Sequence, residues 1–580
     1  TESIRHRGPD AVGYFSDDTI GFCHTRLSII DLSESANQPM HSNNQRFCIV
    51  YNGEVYNYLE IARELNLQIR TNSDTEIVIE SLIKLGTEAI SYFNGMFAFA
   101  LYDKVEKTLT LCRDRIGVKP LYYFWDGKHF AFASEIKALL SLKYIKNNIS
   151  INYTAVNEFL HLGFIPQPHT IWENIYKFPS GNYAVLSGKS LSFTKYWNIE
   201  DSFQATTVKD LYQAKENIRD LIVSSVRYRL QSDVPFGTFL SGGIDSSLVT
   251  AVAQHQLSSK LNTFSIAFKD SKYNEAAHAQ KVASYLGTNH HELCVTEKDA
   301  MNLVTQMLDL YDEPFSDSSA IPTMLVSKLS KQSVTMTLSG DGGDELFMGY
   351  GMYNWAKRLD NKIISTLRKP ISLGLGLTNN RNKRAAKVFD YPDKSTIKSH
   401  IFSQEQYLFS RKEIHSFLNP EFQKHILLES ENSNVLSRQL SVCEQQSLFD
   451  VNYYLKDDLL VKVDRASMLY SLEARVPLLD YNIVEYAMNI DESLKIKNGI
   501  QKYILKEVLY DYVPAELFNR PKWGFSIPLS SWLKSDLSFL IDEYLTPKAI
   551  EETGILQIKS VKKLLDLYVR GNQDYLYNRV

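Results

Sequence analysis

The run FLSGGIDSSLV, residues 239–249, sets two glycines, three serines and one acid inside an otherwise apolar stretch. The residues before it, VPFGTFL, read as a buried strand, and those after it, IDSSLVTAVAQHQ, space their apolar side chains as a helix does. SGGID therefore stands where a strand hands over to a helix. Further buried-strand runs, LNTFSIAF, HHELCV and VTMTL, alternate with helical stretches such as EAAHAQKVASYLG. Such alternation implies a parallel, doubly wound α/β sheet, whose ligands bind at the carboxyl ends of the strands.

The residue types at that position suit an oxyanion. Gly242 and Gly243 let successive backbone N–H groups converge, Ser241, Ser246 and Ser247 add hydroxyls, and the helix N-terminus adds positive potential. The anion is read as phosphate. No lysine follows the glycines, so this is not the P-loop of γ-phosphoryl transfer. Asp245 instead brings a negative charge, which makes sense if it holds Mg²⁺ against a polyphosphate. A second turn, TLSGDGGDELFMGY (337–350), again ends a strand and sets Asp341, Asp344 and Glu345 at a helix start. Either turn alone is accounted for by ordinary capping. Together, at strand ends of one sheet, they are expected to bring Asp245 and Asp344 onto one ligand, most economically ATP with Mg²⁺.

Earlier in the chain, short β-type runs recur between Phe47 and Ala133 (FCIVY, MFAFALYD, TLTLC, PLYYF, HFAFA), as a strand-rich domain requires. The polar segment YWNIEDSFQATTV (196–208) marks a boundary near 200, giving domains at 1–200 and 201–580, and beyond Glu345 the sequence reads as mainly helical. Lys+Arg is 63 and Asp+Glu 67, a net charge of −4 that offers no field for nucleic acid or an acidic membrane face. Cys23, Cys48, Cys112, Cys294 and Cys443 are scattered without a CxxC pair, against a disulfide framework or a zinc site. Without an apolar run of about 18 residues, the expectation is a soluble cytoplasmic protein working on small molecules.

SGGIDSS followed by SGDGGDE resembles the nucleotide site of the asparagine synthetase family, a branch of the ATP pyrophosphatases. HRGPD (6–10), RLSIID (26–31), QPM (38–40), YNGEVYN (51–57), SDTE (73–76), GMFAFALYD (95–103), RDRIGVKPLYY (113–123) and SEIKALL (134–140) resemble its glutamine-hydrolysing half, and SLEARVPLLD (471–480) and RPKWGFSIPL (520–529) its C-terminal region. The resemblance implies an αββα glutaminase domain of the Ntn-hydrolase kind and an ATP-pyrophosphatase domain with a helical extension. It implies that glutamine yields ammonia in the first, that MgATP adenylates the side-chain carboxylate of aspartate in the second, and that ammonia crosses between them. It leaves room for a homodimer.

Residue by residue, the resemblance makes Asn52 and Gly53 an oxyanion-stabilising pair, a side-chain amide and a backbone N–H aimed at a tetrahedral intermediate. Arg26, with Leu27 beside it, falls where the substrate α-carboxylate is gripped, and Glu54 and Asp74 where its ammonium is accepted. Leu240 and Ile266 correspond to positions lining the adenosine, and Ser339 and Gly340 to nucleotide contacts. Asp341 corresponds to an acid tied to adenylate formation, and Lys502 in GIQKYILKE to a lysine facing the phosphates, where it stabilises transition-state charge.

In that family the nucleophile is a cysteine at the mature N-terminus, about two dozen residues before HRGPD, whereas here HRGPD begins at His6. The expectation is that a short N-terminal segment is missing. Cys23, in GFCHTRL, reads as a small apolar group inside a strand, and Thr1 has the wrong spacing to replace the cysteine. Three rival readings stand beside this one. A relative could amidate a sugar acid of a surface polysaccharide; a tRNA-modifying pyrophosphatase would carry paired cysteines and a basic face; a non-catalytic relative would lose Asp245, Asp344 or Lys502. His290 and His291 are read as structural.

Overall fold

The structure, a computed structural model, describes residues 1–268, 276–428, 437–519, 527–571 and 573–580. Of the motif RPKWGFSIPL, residues 520–526 lie outside the described residues.

The N-terminal half stacks helix, sheet, sheet and helix, the αββα order the resemblance implies. Its six-stranded antiparallel sheet runs Ser190–Lys195, Asn182–Ser187, Thr108–Arg113, Gly95–Asp103, Phe47–Val55, Met40–His41. Helices Tyr58–Glu64 and Asp74–Leu85 cover one face, around Ile49, Tyr51, Ile77, Phe97 and Phe99. The other face, with Cys48, Val50, Ala98 and Leu111, packs on Phe22, Tyr123 and Phe178 of a three-stranded sheet and a hairpin. Gly95–Asp103 is buried on both faces, which explains its unbroken apolar run. The hairpin strand Gly21–Arg26 alternates instead: Phe22 enters the core and Cys23 is exposed. Cys23 is thus not the core group its neighbours suggested, because the period-two pleat turns it outward.

The C-terminal half holds a five-stranded, all-parallel sheet in the order Asn289–Val295, Asn262–Phe268, Phe236–Phe239, Met336–Leu338, Glu473–Arg475. The strand order reverses between Phe236–Phe239 and Met336–Leu338, which pair Phe236 with Met336 and Thr238 with Leu338. The crevice of a doubly wound sheet opens at that reversal. The fifth strand comes from SLEARVPLLD and is absent from the four apolar runs of the sequence reading. It has three residues, two of them charged, so no apolar run announces it. Helix Leu211–Arg229 packs Ile218, Ile222 and Val226 against Leu248 and Val252 of helix Ile244–His255. Farther on, helices Met352–Asp360, Ile397–Glu405 and Val442–Phe449 build a separate core around Tyr353, Phe402 and Phe449.

Candidate active site

A cavity of about 850 Å³ opens at the strand reversal, lined by Leu240 to Gly243, Asp245, Ser246, Ile266, Ser339, Gly340, Asp341, Asp344 and Lys502, whereas Ser247, expected to add a hydroxyl, is fully buried in its helix and does not line it. Its floor consists of the two glycine turns pressed together. A Cβ on Gly340 would stand 2.6 Å from Ser246 N, and one on Gly343 2.5 Å from the Asp245 carboxylate. Gly242 adopts φ +71° against the backbone of Ala279, so no L side chain fits there without strain. Ser241 and Ser246 hold the first turn, Oγ to Oγ at 2.9 Å, and Gly243 N donates to Ser241 Oγ. Gly243 caps helix Ile244–His255, whose N-terminus therefore faces the cavity.

Lys502 ties the turns together. Its Nζ donates to Asp245 Oδ2 and sits 2.6 Å from Asp344 Oδ1. The lysine is buried, at 5% exposure. Burial works against its charge, but the two carboxylates outweigh burial and hold the ammonium above its ordinary range. Lys502 also adopts φ +52°, a left-handed conformation costing about 1–3 kcal/mol for a side chain with a Cβ, just ahead of helix Tyr503–Leu509. Gly349 makes room for the arrangement, since a Cβ there would meet Asp344 Oδ1 at 1.9 Å and Lys502 Cε at 2.1 Å. Ser339 Oγ donates to Asp341. Burial, then Asp344, pushes the neighbouring Glu345 carboxyl up to about 7.

Among the described residues no group of three or more His, Cys, Asp or Glu is placed to hold a metal ion alone. Mg²⁺ needs fewer, one or two carboxylates beside substrate phosphates, and two carboxylates around one cationic Nζ fit that donor set. His290 bonds Thr263 Oγ1 and Ser265 Oγ at 2.8 and 3.0 Å.

The cavity wall carries groups that the sequence reading missed. Lys462 Nζ donates to Asp317 Oδ2 at 3.0 Å and Ser319 Oγ at 2.9 Å, and Asp458 lies beside them, on the π-helical stretch Asp450–Leu459. The available signal was YLKDDLLVKVD, where charges interrupt an apolar helical run.

In the N-terminal half, Asn52, Gly53 and Glu54 follow one another along strand Phe47–Val55, and Asp74 opens helix Asp74–Leu85 behind the cap of Ser73. Asn52 Nδ2 is buried and meets no acceptor, which leaves this donor available to a developing oxyanion. Gly53 has φ +151°, and a Cβ would land 2.1 Å from Met96 O. Asp74 accepts from Tyr51 OH at 2.7 Å and Val55 N at 3.0 Å; burial nevertheless raises its carboxyl to about 6. Burial, and then Asp74, also push the Glu54 carboxyl well above its ordinary range. The Arg26 guanidinium is engaged by the chain that follows its strand. Its Nη atoms bond Ser33 O, Asn37 Oδ1, Ile30 O and Asp31 O, so the guanidinium holds the 30–37 loop, and Leu27 follows it half-buried.

Motifs without an assigned role prove to be the seam between the halves. Arg7 of HRGPD binds Asp464 through both Nη atoms at 2.7 and 2.9 Å and Glu135 of SEIKALL at 3.0 Å. Glu135 also meets Arg465 at 2.8 Å. Arg475 of SLEARVPLLD joins Glu473 at 2.8 Å and Glu54 at 3.2 Å, with Lys119 on Glu473 at 3.0 Å.

Comparison with known proteins gives this geometry a lineage. The family model described as asparagine synthase matches residues 217–579, and that described as glutamine amidotransferase domain matches residues 1–197. The chain is similar to asparagine synthetase (glutamine-hydrolyzing) 1 of Bacillus subtilis, 32% identical over 96% of this chain and 88% of that protein. It is also similar to amidase chry2 of Gibberella zeae, 28% identical over 97% of this chain and 89% of that protein. With the synthase model covering more than half its length, the chain belongs to the asparagine synthase family.

Proposed function

We propose that this protein is an ATP-dependent ligase that converts the side-chain carboxylate of aspartate to an amide, with glutamine as the source of ammonia. The observation that carries the reading is the Lys502 ammonium shared by Asp245 and Asp344 on the floor of the 850 Å³ cavity, at the strand reversal of the parallel sheet. Family membership supports it.

In this reading Leu240 and Ile266 flank the adenosine, while Ser241, Ser246 and the N–H groups of the glycine turns cradle the phosphates. Asp245 and Asp344 would hold Mg²⁺, which supplies charge neutralisation for the polyphosphate when bound. An oxygen of the acceptor carboxylate attacks the α-phosphorus, the bond to the bridging oxygen of the β-phosphate breaks, and pyrophosphate leaves with the electron pair. Lys502 stabilises the charge that develops there, and Asp341, held by Ser339, lies beside the adenylate. Ammonia then attacks the acyl carbon, AMP departs, and nitrogen loses a proton. A carboxylate resists nucleophiles because it is anionic; its mixed anhydride with AMP does not.

On the glutamine side, Asn52 and Gly53 donate to the oxyanion, Glu54 and Asp74 accept from the α-ammonium, and Arg26 with Leu27 frames the α-carboxylate end. Ammonia must travel shielded from water, because near neutral pH it is otherwise mostly ammonium. The test is pyrophosphate and asparagine production from ATP, Mg²⁺, ammonium and aspartate. Stimulation by aspartate and none by tRNA is expected; pyrophosphate release that ignores aspartate would refute the assignment of acceptor.

A further inference from the structure

The chain's net charge of −4 is not spread evenly. Between Lys357 and Lys387 the sequence holds nine Lys and Arg and a single acid, Asp360. Five of these cations are engaged: Lys357 meets Glu492 at 2.5 Å, Lys387 meets Glu413 at 2.9 Å, and Arg358, Arg368 and Arg384 lie over the rings of Trp355, Tyr391 and Tyr407. Lys362, Lys369, Arg381 and Lys383 are exposed and have no acid within ion-pair distance among the described residues. The same stretch carries the three most exposed leucine, isoleucine or valine side chains among the described residues, Leu377 at 89%, Leu373 at 73% and Ile363 at 70%, with Leu367 also exposed. Helices Lys362–Thr366, Arg368–Gly376 and Asn380–Val388 pack on one another in chain order. The middle helix sets Ile371 and Leu375 against the core around Tyr353 and Phe402. Leu373 lies about 200° round the helix from Ile371, and Leu377 follows Leu373 one turn later. That helix therefore has two apolar stripes, one covered by protein and one uncovered, and Lys369 stands one turn before Leu373 on the uncovered side.

Chemistry selects the occupant of this face. Uncovered aliphatic side chains among unpaired Lys and Arg suit the boundary of an anionic bilayer, where the aliphatic groups enter the acyl region and the cations meet headgroup phosphates. A single-stranded nucleic acid would call for aromatic side chains on which bases stack, and residues 357–387 contain none. A second copy of the same face would set like charges against each other. No helix among the described residues is long and apolar enough to cross a membrane, so the contact is one of surface and not of span. We propose that residues 361–383 dock on the headgroup layer of an anionic phospholipid bilayer, with Ile363, Leu367, Leu373 and Leu377 inserted and Lys362, Lys369, Arg381 and Lys383 on the phosphates. None of these residues lines the 850 Å³ cavity, so the docking face stands apart from the reaction assigned there.

The test is sedimentation of the full chain with lipid vesicles at physiological ionic strength. Cosedimentation with vesicles of equal parts phosphatidylglycerol and phosphatidylcholine is expected, with little on phosphatidylcholine alone and a decline as salt is raised. Lys369→Gln with Lys383→Gln should weaken partitioning by on the order of 10–30-fold, each surface cation contributing about fivefold. Leu373→Ser with Leu377→Ser should weaken it by roughly tenfold or more, through lost apolar burial. Lys143→Gln with Lys146→Gln, an equal change of charge at exposed positions of the N-terminal half, should leave it unaltered. All six positions are exposed, so the fold is expected to persist in each double variant, and circular dichroism checks it. Failure of the native chain to bind the anionic vesicles overturns the inference. An equal loss in the Lys143 and Lys146 variant overturns it as well, since general charge would then account for binding. Binding that survives loss of both leucines and is matched by heparin shows a patch for any polyanion and overturns it. Self-association in analytical ultracentrifugation that the two leucine substitutions abolish, with vesicles ignored, assigns the face to a second copy instead.

Discussion

Glu54 and Arg475 meet at 3.2 Å across the seam between the antiparallel half and the parallel sheet, and the carbonyl of that same arginine accepts from Ser339 N–H at 2.9 Å. One residue thus touches Glu54 of the antiparallel half with its side chain and the glycine turn at Ser339 with its backbone. Both members of the pair are buried, and Glu473 shares the guanidinium. Arg475→Met is expected to destabilise the protein by about 3–5 kcal/mol, the cost of stranding a buried charge. The shift of the urea midpoint at constant slope measures it, and a loss below about 1 kcal/mol would show that the seam does not depend on this contact.

Lys502→Ala should lower ammonium-supported pyrophosphate release by on the order of 10²–10³, comparable to removing one preorganised donor from a transition state. The variant removes the cation that Asp245 and Asp344 share in the structure. Pyrophosphate formation at the native rate would refute the role given to Lys502.

Gly349→Ala tests the floor without touching a charge. The added methyl overlaps Asp344 Oδ1 and Lys502 Cε, so the pair must move by about an ångström, and misplacement of that size costs on the order of 10² in rate. Gly374→Ala is the control. It lies in helix Arg368–Gly376, its added Cβ meets nothing within 4 Å, and it should leave the rate alone while adding roughly 0.5–1 kcal/mol of stability.

Acid should weaken the fold through buried histidines. His400, whose Nε2 lies 3.0 Å from Lys387 O, is pulled down to about 4 by burial, and His161, at 2.9 Å from Phe409 O, to about 3. With the folded pKa below the unfolded value near 6.5, the unfolded chain takes up protons first as pH falls. The stability each neutral ring contributes is whole above about 6.5 and is lost as pH falls toward 4. Buried acids such as Asp74 act in the opposite sense, so the comparison must be with a variant. Relative to native, His400→Gln should gain about 2 kcal/mol between pH 7 and pH 5, read from urea midpoints at the two values. An unchanged difference would mean that His400 is already protonated in the fold.

Much of this architecture was legible because glycine and acid spacing encodes backbone contact. SGGIDSS and SGDGGDE announced two strand-to-helix turns, and both line the cavity as read. Lys502 was found by resemblance alone, since a lysine in GIQKYILKE looks like any solvated helix residue until the fold returns it beneath Asp245. Arg475 stayed hidden because its strand has three residues and no apolar run. Asp458 and Lys462 stayed hidden because their meaning depends on Asp317, some 140 positions earlier, and on a π-helical winding that no period of 3.6 reveals. Arg26 was read by its chemistry, but its contacts within the 30–37 loop depend on the course of the chain after the strand.

The contact of Gly340 with Ser246 and of Gly343 with Asp245 sets a limit on how such a protein can change. Gly340 rests on the Ser246 backbone and Gly343 on the Asp245 carboxylate, so neither position can take a side chain and mutation has no gradual route through the cavity floor. The opposite wall is made of side chains, from the loop around Asp317 and from the helical stretch around Asp458 and Lys462, each exchangeable by a single codon. Change inside this cavity is therefore open along that wall and closed at the paired glycine turns.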